Sequence, residues 1–252
     1  YENVIDLETG FEIRAHYTNS YGLTDVAEVT VTKFEKLESV NQYRVEAEMK
    51  AIANTETLAC RLEVYANCTS DNLTFNQGVE FIPMWGVKQT TLYLDKDQAT
   101  ELADPIYLLR SVAKVEVMLD GGLVKDFSLT SVTIDKYNKT GYVLPYGSAS
   151  ASNTESMNQS AVFNPYSTTN TLGANLGFNS VKENNFYVYL PEFQNVDSDG
   201  SELPTAAKMI VTINGRNYPL EFKTYADNTP FDVVRNHCYQ YVIKSVKEDV
   251  DF

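Results

Sequence analysis

The chain has 252 residues, enough for one large or two ordinary domains whose core needs no disulfide or metal for stability. Its 34 acidic and 20 basic residues give a net charge of −14, which disfavours binding to nucleic acid and to anionic lipid headgroups. A hydrophobic content of 43% indicates a globular protein rather than a disordered one.

Apolar and polar residues alternate with a period of two along most of the chain, which predicts an all-β protein. Residues 4–7 and 11–13 are expected to form the first strand of a sandwich. The clearest later runs are 27–31, 43–51, 58–68 and 113–119. The parity of the apolar residues changes between 127–129 and 132–134, so a β-bulge is predicted near Thr130.

Two hairpins are predicted from turn chemistry. Asn214-Gly215 separates the alternating segments 209–213 and 216–222, and both residues tolerate the positive φ of a type I′ turn. Pro219 marks the second of these strands as an edge strand, because proline donates no ladder hydrogen bond. The Asp-Gly-Gly sequence at 120–122 predicts a second hairpin in the same way.

Helix is sparse, with one short candidate at 95–102 that begins at Asp95. Residues 147–180 are rich in Ser, Asn, Thr, Ala and Gly, and such a stretch has little apolar area to offset its ordering entropy. We therefore predict a domain boundary near Tyr146, with an N-terminal β-sandwich at 1–146 and a C-terminal one at 147–252.

The three cysteines do not predict a disulfide framework. Cys60 and Cys68 lie on one predicted strand more than about 20 Å apart, which is too far to bridge. Their shared parity predicts that both face the core, and Cys238 is also expected to be a small buried hydrophobe. Three polar residues of the same segment are expected to face solvent: Arg61, Glu63 and Asn67. His16 and His237 are the only histidines, so no zinc-site spacing is recognisable.

No catalytic motif is present, and we expect no enzyme activity, cofactor or metal site. Residues 195–200 resemble a calcium loop, but Asn195 and Ala206 occupy positions where the EF-hand needs Asp and Glu, so an acidic surface turn is expected. Trp85 is expected in a core or interdomain position, with an exposed sugar platform as the alternative. Lys114 is expected to point to solvent.

Four phrases occur together in a distinctive order: FIPMWGV at 81–87, LRSVAKVEV at 109–117, TGYVLP at 140–145 and RNHCY at 235–239. Over residues 26–246 the chain thereby resembles the fimbrillins, the type V pilins of Bacteroidetes. The matching positions, which we interpret as fold determinants, are Pro83, Met84, Gly86, Arg110, Ala113, Lys114, Gly141, Tyr142, Pro145, Leu190, Pro191, Glu192, Arg235, Asn236, His237 and Tyr239.

The resemblance implies two transthyretin-like β-sandwich domains and a subunit of a cell-surface fimbria. Family members are exported as lipoprotein precursors and anchored by lipid to the outer membrane, so we expect that any export signal has been removed. Many are cut by an arginine-specific protease that removes the first strand, and a strand from the next subunit then fills the groove. The implied partners are other fimbrial subunits, with a host protein or glycan as a further candidate.

The candidate processing sites are Arg14, which follows the predicted first strand, and Arg44. The sequence does not distinguish a shaft subunit of a fibre from a tip or accessory subunit. The main alternative is a surface-anchored adhesin that binds a glycan or protein without polymerising. A removable N-terminal strand would distinguish the two, because only a polymerising subunit needs one.

Overall fold

A computed structural model describes residues 4–38, 41–50, 52, 56–94, 99–154 and 172–247. The protein is all-β, as predicted, and its described residues divide into two compact units. The first unit takes the described residues of Tyr1–Phe75, Val79–Ser111 and Val143–Val162, and the second those of Asn76–Gly78, Val112–Tyr142 and Phe163–Phe252. No helix in the described part of the chain combines the length and apolar character needed to cross a bilayer.

The strands up to residue 110 are β1 (Phe11–Thr18), β2 (Thr24–Ala27), β3 (Val29–Lys36), β4 (Tyr43–Met49), β5 (Thr57–Ala66), β6 (Thr74–Asn76), β7 (Met84–Tyr93) and β8 (Leu109–Arg110). In the first unit a five-stranded sheet has the order β2-β1-β5-β7-β8, and β3 and β4 form a separate two-stranded ribbon. A cluster of five buried side chains connects the sheet with the ribbon residues Val29 and Met49: Ala15, Ala27, Leu58, Cys60 and Leu62.

The later strands are β9 (Val112–Leu119), β10 (Leu129–Asp135), β11 (Tyr137–Asn138), β12 (Thr140–Tyr142), β13 (Leu172–Gly173), β14 (Leu176–Gly177), β15 (Asn179–Lys182), β16 (Asn185–Pro191), β17 (Lys208–Ile213), β18 (Arg216–Glu221) and β19 (Cys238–Ile243). The second unit has two four-stranded sheets, β14-β10-β17-β18 and β15-β16-β9-β19. Apolar side chains from both sheets form one buried cluster, so this unit is a sandwich.

The predicted domains, 1–146 and 147–252, differ from these compact units. The strands between residues 112 and 142 belong to the second unit, because β9 lies between β16 and β19 in one of its sheets. Residues 143–154 then return to the first unit. The polar stretch that begins at 147 therefore does not coincide with the boundary.

Several local predictions are confirmed and two are wrong. The bulge lies between Leu129 and Ser131, and β18, which contains Pro219, is an edge strand. The second predicted hairpin is wrong, because β9 and β10 on either side of residues 120–122 join different sheets. Residues 4–7 do not form a strand, and β1 begins at Phe11. Half of the predicted helix, 95–98, lies outside the described residues.

The Asn214-Gly215 turn is confirmed as type I′, with φ of 49° at Asn214 and 77° at Gly215. Gly215→Val should lower the free energy of unfolding by about 1 kcal/mol or more, because a β-branched residue is strained at positive φ. Thermal melting measures the effect. Thr91→Val, at an exposed position of β7 whose register with β5 is continuous, is the control, and an unchanged midpoint for Gly215→Val would contradict the assignment.

Candidate functional site

The segment that a processing event would remove is an interior strand of the first sheet. β1 pairs with β2 on one side and with β5 on the other, and Arg14 lies opposite Glu63. Arg14 is about one-third exposed, and its Nη1 donates to Ser70 Oγ at 2.8 Å. Arg44, near the start of β4, is exposed and pairs with Glu35 of β3. Of the two candidate sites, Arg44 is therefore the more accessible.

Glu63 is the centre of a polar network on β1 and β5. It is 6% exposed, and its carboxylate contacts His16 Nε2 at 2.9 Å, the Tyr65 hydroxyl at 2.8 Å and the Arg61 guanidinium. Burial raises the pKa of Glu63, but the hydrogen bond from Tyr65 and the charge of Arg61 outweigh it, so the pKa is lowered overall. The carboxylate is therefore held in its charged form.

The prediction that Arg61, Glu63 and Asn67 face solvent is wrong. Residues 148–154 cover this side of the sheet: Arg61 Nη2 donates to Ser148 O at 2.5 Å and its Nε to Ala151 O at 3.1 Å. Asn67 is 4% exposed. Its Oδ1 accepts a hydrogen bond from Asp6 N at 2.7 Å, which holds the N-terminal segment against β5. A period-two pattern cannot distinguish a wet face from a face covered by another polar segment.

The PMWG phrase leads into β7, which begins at Met84. A Cβ built on Gly86 would lie 2.4 Å from Tyr107 O and 2.7 Å from Leu108 Cδ2, so only glycine lets residues 106–108 approach the strand. Pro83 O accepts a hydrogen bond from Ser111 N, and Met84 pairs with Arg110 of β8. Trp85 is fully buried, which confirms the predicted burial and excludes the exposed sugar platform.

Of the remaining matched positions, Pro145 lies in the first unit and the others lie in the second. Ala113 is fully buried, and Gly141, Pro145 and Pro191 are buried as well. Lys114 differs from its prediction, because its Nζ lies 2.6 Å from Glu116 Oε1 and 5.6 Å from the centre of the Tyr187 ring. Its side chain is therefore only partly exposed.

The RNHCY phrase is joined by a buried ion pair to Glu192, the residue that follows β16. Arg235 Nη2 and Nε contact Glu192 Oε1 and Oε2 at 2.6 and 2.9 Å, with both residues 5% exposed. Asn236 has a φ of 58°, and its N–H donates to Val112 O. The Tyr239 hydroxyl accepts from Val234 N at 2.9 Å and donates to Asp232 O at 3.0 Å. These residues hold the backbone that leads into β19.

The calcium-like loop, residues 195–200, is hydrogen-bonded at its start to other parts of the chain. Asn195 Oδ1 accepts from Ala207 N at 2.8 Å, while Asp232 Oδ1 accepts from the N–H groups of Asn195 and Val196 at 2.7 and 2.9 Å. Within the described ranges, no group of three His, Cys, Asp or Glu residues is placed to hold a metal ion.

Cys60 and Cys68 are buried and in no disulfide, as predicted, whereas the prediction for Cys238 is wrong because it is exposed at the first residue of the edge strand β19. Burial raises the pKa of Cys60 to about 11 and that of Cys68 to about 12.

A thiol reagent should therefore modify Cys238 rapidly in the native protein, and Cys60 and Cys68 only after unfolding. Mass spectrometry of the labelled peptides measures the three rates, with urea-unfolded protein as the control. Equal rates at all three sites in the native protein would contradict the burial.

Comparison with known proteins places this fold among fimbrial proteins. The sequence matches no family model, and no curated protein sequence matches it either. Among solved structures, the tip fimbrial protein Mfa3 of Porphyromonas gingivalis with a C-terminal truncation is similar, with a TM-score of 0.57 and 14% identity over 95% of this chain and 90% of that one. A candidate cell adhesion protein from Bacteroides uniformis has a TM-score of 0.50 and 9% identity over 92% of this chain and 86% of that one. The chain therefore has a fimbrillin-like fold.

Proposed function

We propose that the protein is a structural, accessory or tip subunit of a cell-surface fimbria and contributes to adhesion. The likeness to a tip fimbrial protein over nearly the whole chain carries this proposal. The precursor is exported, lipid-anchored at the outer membrane and processed before it assembles with other fimbrial subunits. In the two transthyretin-like domains the four matching phrases act as fold determinants and not as a reactive site.

Polymerisation by strand exchange is supported by the position of β1. Removing β1 would expose the backbone of β5 from Cys60 to Ala66, together with an apolar face that includes Leu62 and Val64. An extended strand from a neighbouring subunit can restore both the ladder and the apolar contacts. Because the donor and acceptor surfaces differ, the contact is heterologous, and successive subunits that do not close into a ring form a filament.

Cleavage after Arg44, in the exposed β3–β4 ribbon, would cut the covalent link between β1–β3 and the rest of the chain, whereas cleavage after Arg14 would first require β1 to leave its two neighbours in the sheet. We therefore propose Arg44 as the preferred processing site. Arg44→Gln should prevent the appearance of ladders on a denaturing gel after treatment with a trypsin-like protease, and Arg14→Gln should not.

Mass spectrometry of native fibres provides the second readout. Subunits that begin after Arg44 would support this route. Fibres whose subunits retain residues 1–44 covalently would overturn strand removal at either site. A protein that is cut after Arg44 but stays monomeric would overturn polymerisation while leaving the processing intact.

The alternative, a non-polymerising surface adhesin, is favoured by two exposed aromatic residues on ordered turns. Tyr21 is 87% exposed, and Asn19 Oδ1 holds its turn by accepting from the N–H groups of Tyr21 and Leu23 at 3.0 and 3.1 Å. Tyr225 is fully exposed at another turn, next to Thr224. Exposed tyrosines on fixed turns suit contact with a host protein or glycan. Loss of host-cell binding in Tyr21→Ala and Tyr225→Ala, without any ladder formation by the parent, would favour this function.

A further inference from the structure

Asn67, the residue that follows β5, contacts the N-terminal segment through its side chain. Its Oδ1 accepts a hydrogen bond from Asp6 N at 2.7 Å, and its Nδ2 donates to Val4 O at 2.8 Å. The same Nδ2 donates to Ile82 O at 2.9 Å, so both amide hydrogens are used. Because the side chain contacts main-chain groups two residues apart, it holds the segment independently of the side chains at positions 4 and 6.

The backbone of Asn67 adds a further bond to the same segment. Its φ of 58° lies in the left-handed region, which asparagine adopts more readily than most residues, and its N–H donates to Gly10 O at 2.8 Å. The β1–β5 ladder ends one residue earlier, with Phe11 opposite Ala66. Asn67 is 4% exposed, so these bonds are shielded from water and are stronger than the same bonds would be at the surface.

Ser70, three residues further on, contacts the start of β1. Its N–H and Oγ donate to the two carboxylate oxygens of Glu12 at 2.7 and 3.0 Å, and its Oγ accepts from Arg14 Nη1 at 2.8 Å. We call Asn67 and Ser70 the clasp. The contacts of the clasp hold residues 4–14 and are additional to the backbone ladder between β1 and β5.

We propose that the clasp retains the N-terminal fragment in its groove after processing, so that cutting and strand release are separate steps. This inference rests on the processing after Arg44 proposed above. The cut lies in the exposed β3–β4 ribbon and breaks one peptide bond, whereas the clasp contacts join residues 4–14 to the loop after β5. The cut subunit therefore keeps every clasp contact.

Retention of the fragment has a physical consequence for assembly. While the fragment stays bound, the backbone of β5 is paired on this side and offers no open edge to another chain. Assembly then waits until an extended strand of a neighbouring subunit displaces β1. Because the clasp bonds must also break before β1 can leave, the clasp regulates how long a cut subunit stays closed.

Asn67→Gly tests the clasp, because glycine keeps the positive φ and the N–H but removes the carboxamide. The full chain is cut with a limiting amount of an arginine-specific protease. Native size-exclusion chromatography followed by mass spectrometry then measures how fast the fragment that ends at Arg44 leaves. The parent should retain the fragment, and Asn67→Gly should release it at least about tenfold faster, because two buried hydrogen bonds to the fragment are lost. Ladders should appear correspondingly faster per cut subunit, while the rate of cutting should be unchanged.

Two variants control for effects away from the clasp. Asn228→Gly makes the same substitution at an exposed turn residue with a φ of 61°, and it should retain the fragment as the parent does. Gly215→Val, which strains the hairpin of the second unit, controls for a general loss of stability and should also retain the fragment. If Asn67→Gly does not fold, Ser70→Ala replaces it, since it removes the hydroxyl contacts to β1 and should also accelerate release.

The outcomes separate the clasp from the proposed function. A parent that is cut after Arg44 but loses the fragment as fast as Asn67→Gly and Ser70→Ala would overturn the clasp and leave strand exchange standing. Retention in the parent and faster release in these variants, without ladders from any of them, would support the clasp and overturn polymerisation. Release that Gly215→Val accelerates equally would overturn the clasp, because general stability would then set the rate. A parent that is not cut after Arg44 would overturn both proposals.

Discussion

Arg235→Met is expected to lower the free energy of unfolding by about 3–5 kcal/mol, because it leaves the buried Glu192 carboxylate without its counter-ion. The two side chains are each 6% exposed and form a bidentate pair at 2.6 and 2.9 Å. Asn138 Nδ2 donates to the backbone carbonyl of Glu192 at 2.7 Å, and this bond keeps the residue in its buried position when the ion pair is lost. Urea unfolding followed by circular dichroism measures the change.

The double variant Glu192→Leu with Arg235→Met separates the cost of an unpaired buried charge from the value of the pair itself. It should recover much of the stability lost in Arg235→Met, since buried ion pairs are often replaceable by apolar side chains. Lys33→Met is the matched control, because the Lys33–Glu46 pair at 3.0 Å is more than half exposed and should contribute little. A loss for Arg235→Met as small as that for Lys33→Met would show that the buried pair is not a determinant of the fold.

The sequence predicts the local features of this fold well, because they depend on residues close together in the chain. The Asn214-Gly215 turn needs two residues that tolerate positive φ, and the change of parity around Thr130 requires one extra residue in the strand. The assignment of strands to sheets is not local. β9 and β10 are separated by residues 120–128, which begin with Asp-Gly-Gly, yet they join opposite sheets of the sandwich. Nothing in the turn distinguishes a hairpin from a crossing between sheets.

The polar network on β5 was missed for a related reason. Arg61 and Glu63 alternate with apolar residues, which is the pattern of a strand with one wet face. The structure covers that face with residues 148–154, whose small Ser, Ala, Asn and Thr side chains give no periodic apolar pattern in the sequence. The contacts from this segment to Arg61 are made by backbone carbonyls, which every residue has. The sequence pattern therefore cannot predict that Glu63 is buried beneath the segment.

Glu63→Gln is expected to lower the free energy of unfolding at neutral pH by about 1–3 kcal/mol, since a buried, charge-assisted network loses its acceptor charge. The amide can still accept from the Tyr65 hydroxyl, but Arg61 and His16 no longer have a carboxylate partner. This variant preserves side-chain volume, so the change reports on charge and not on packing. Glu46→Gln, at an exposed position of β4, is the matched control and should have little effect.

The same carboxylate should make the protein sensitive to acid. Because the pKa of Glu63 is lowered in the folded state, its contribution to stability is fully present above the ordinary glutamate pKa of about 4.3 and is lost as the pH falls through the lower folded value. The difference in melting temperature between the parent and Glu63→Gln should therefore be constant near neutrality and shrink below about pH 4. The charged groups that share this side of the two strands with Glu63 are His16, Arg61, Glu12 and Arg14, and all four are present in both the parent and the variant. A difference that stays constant down to strongly acidic pH would mean that Glu63 is not held in its charged form.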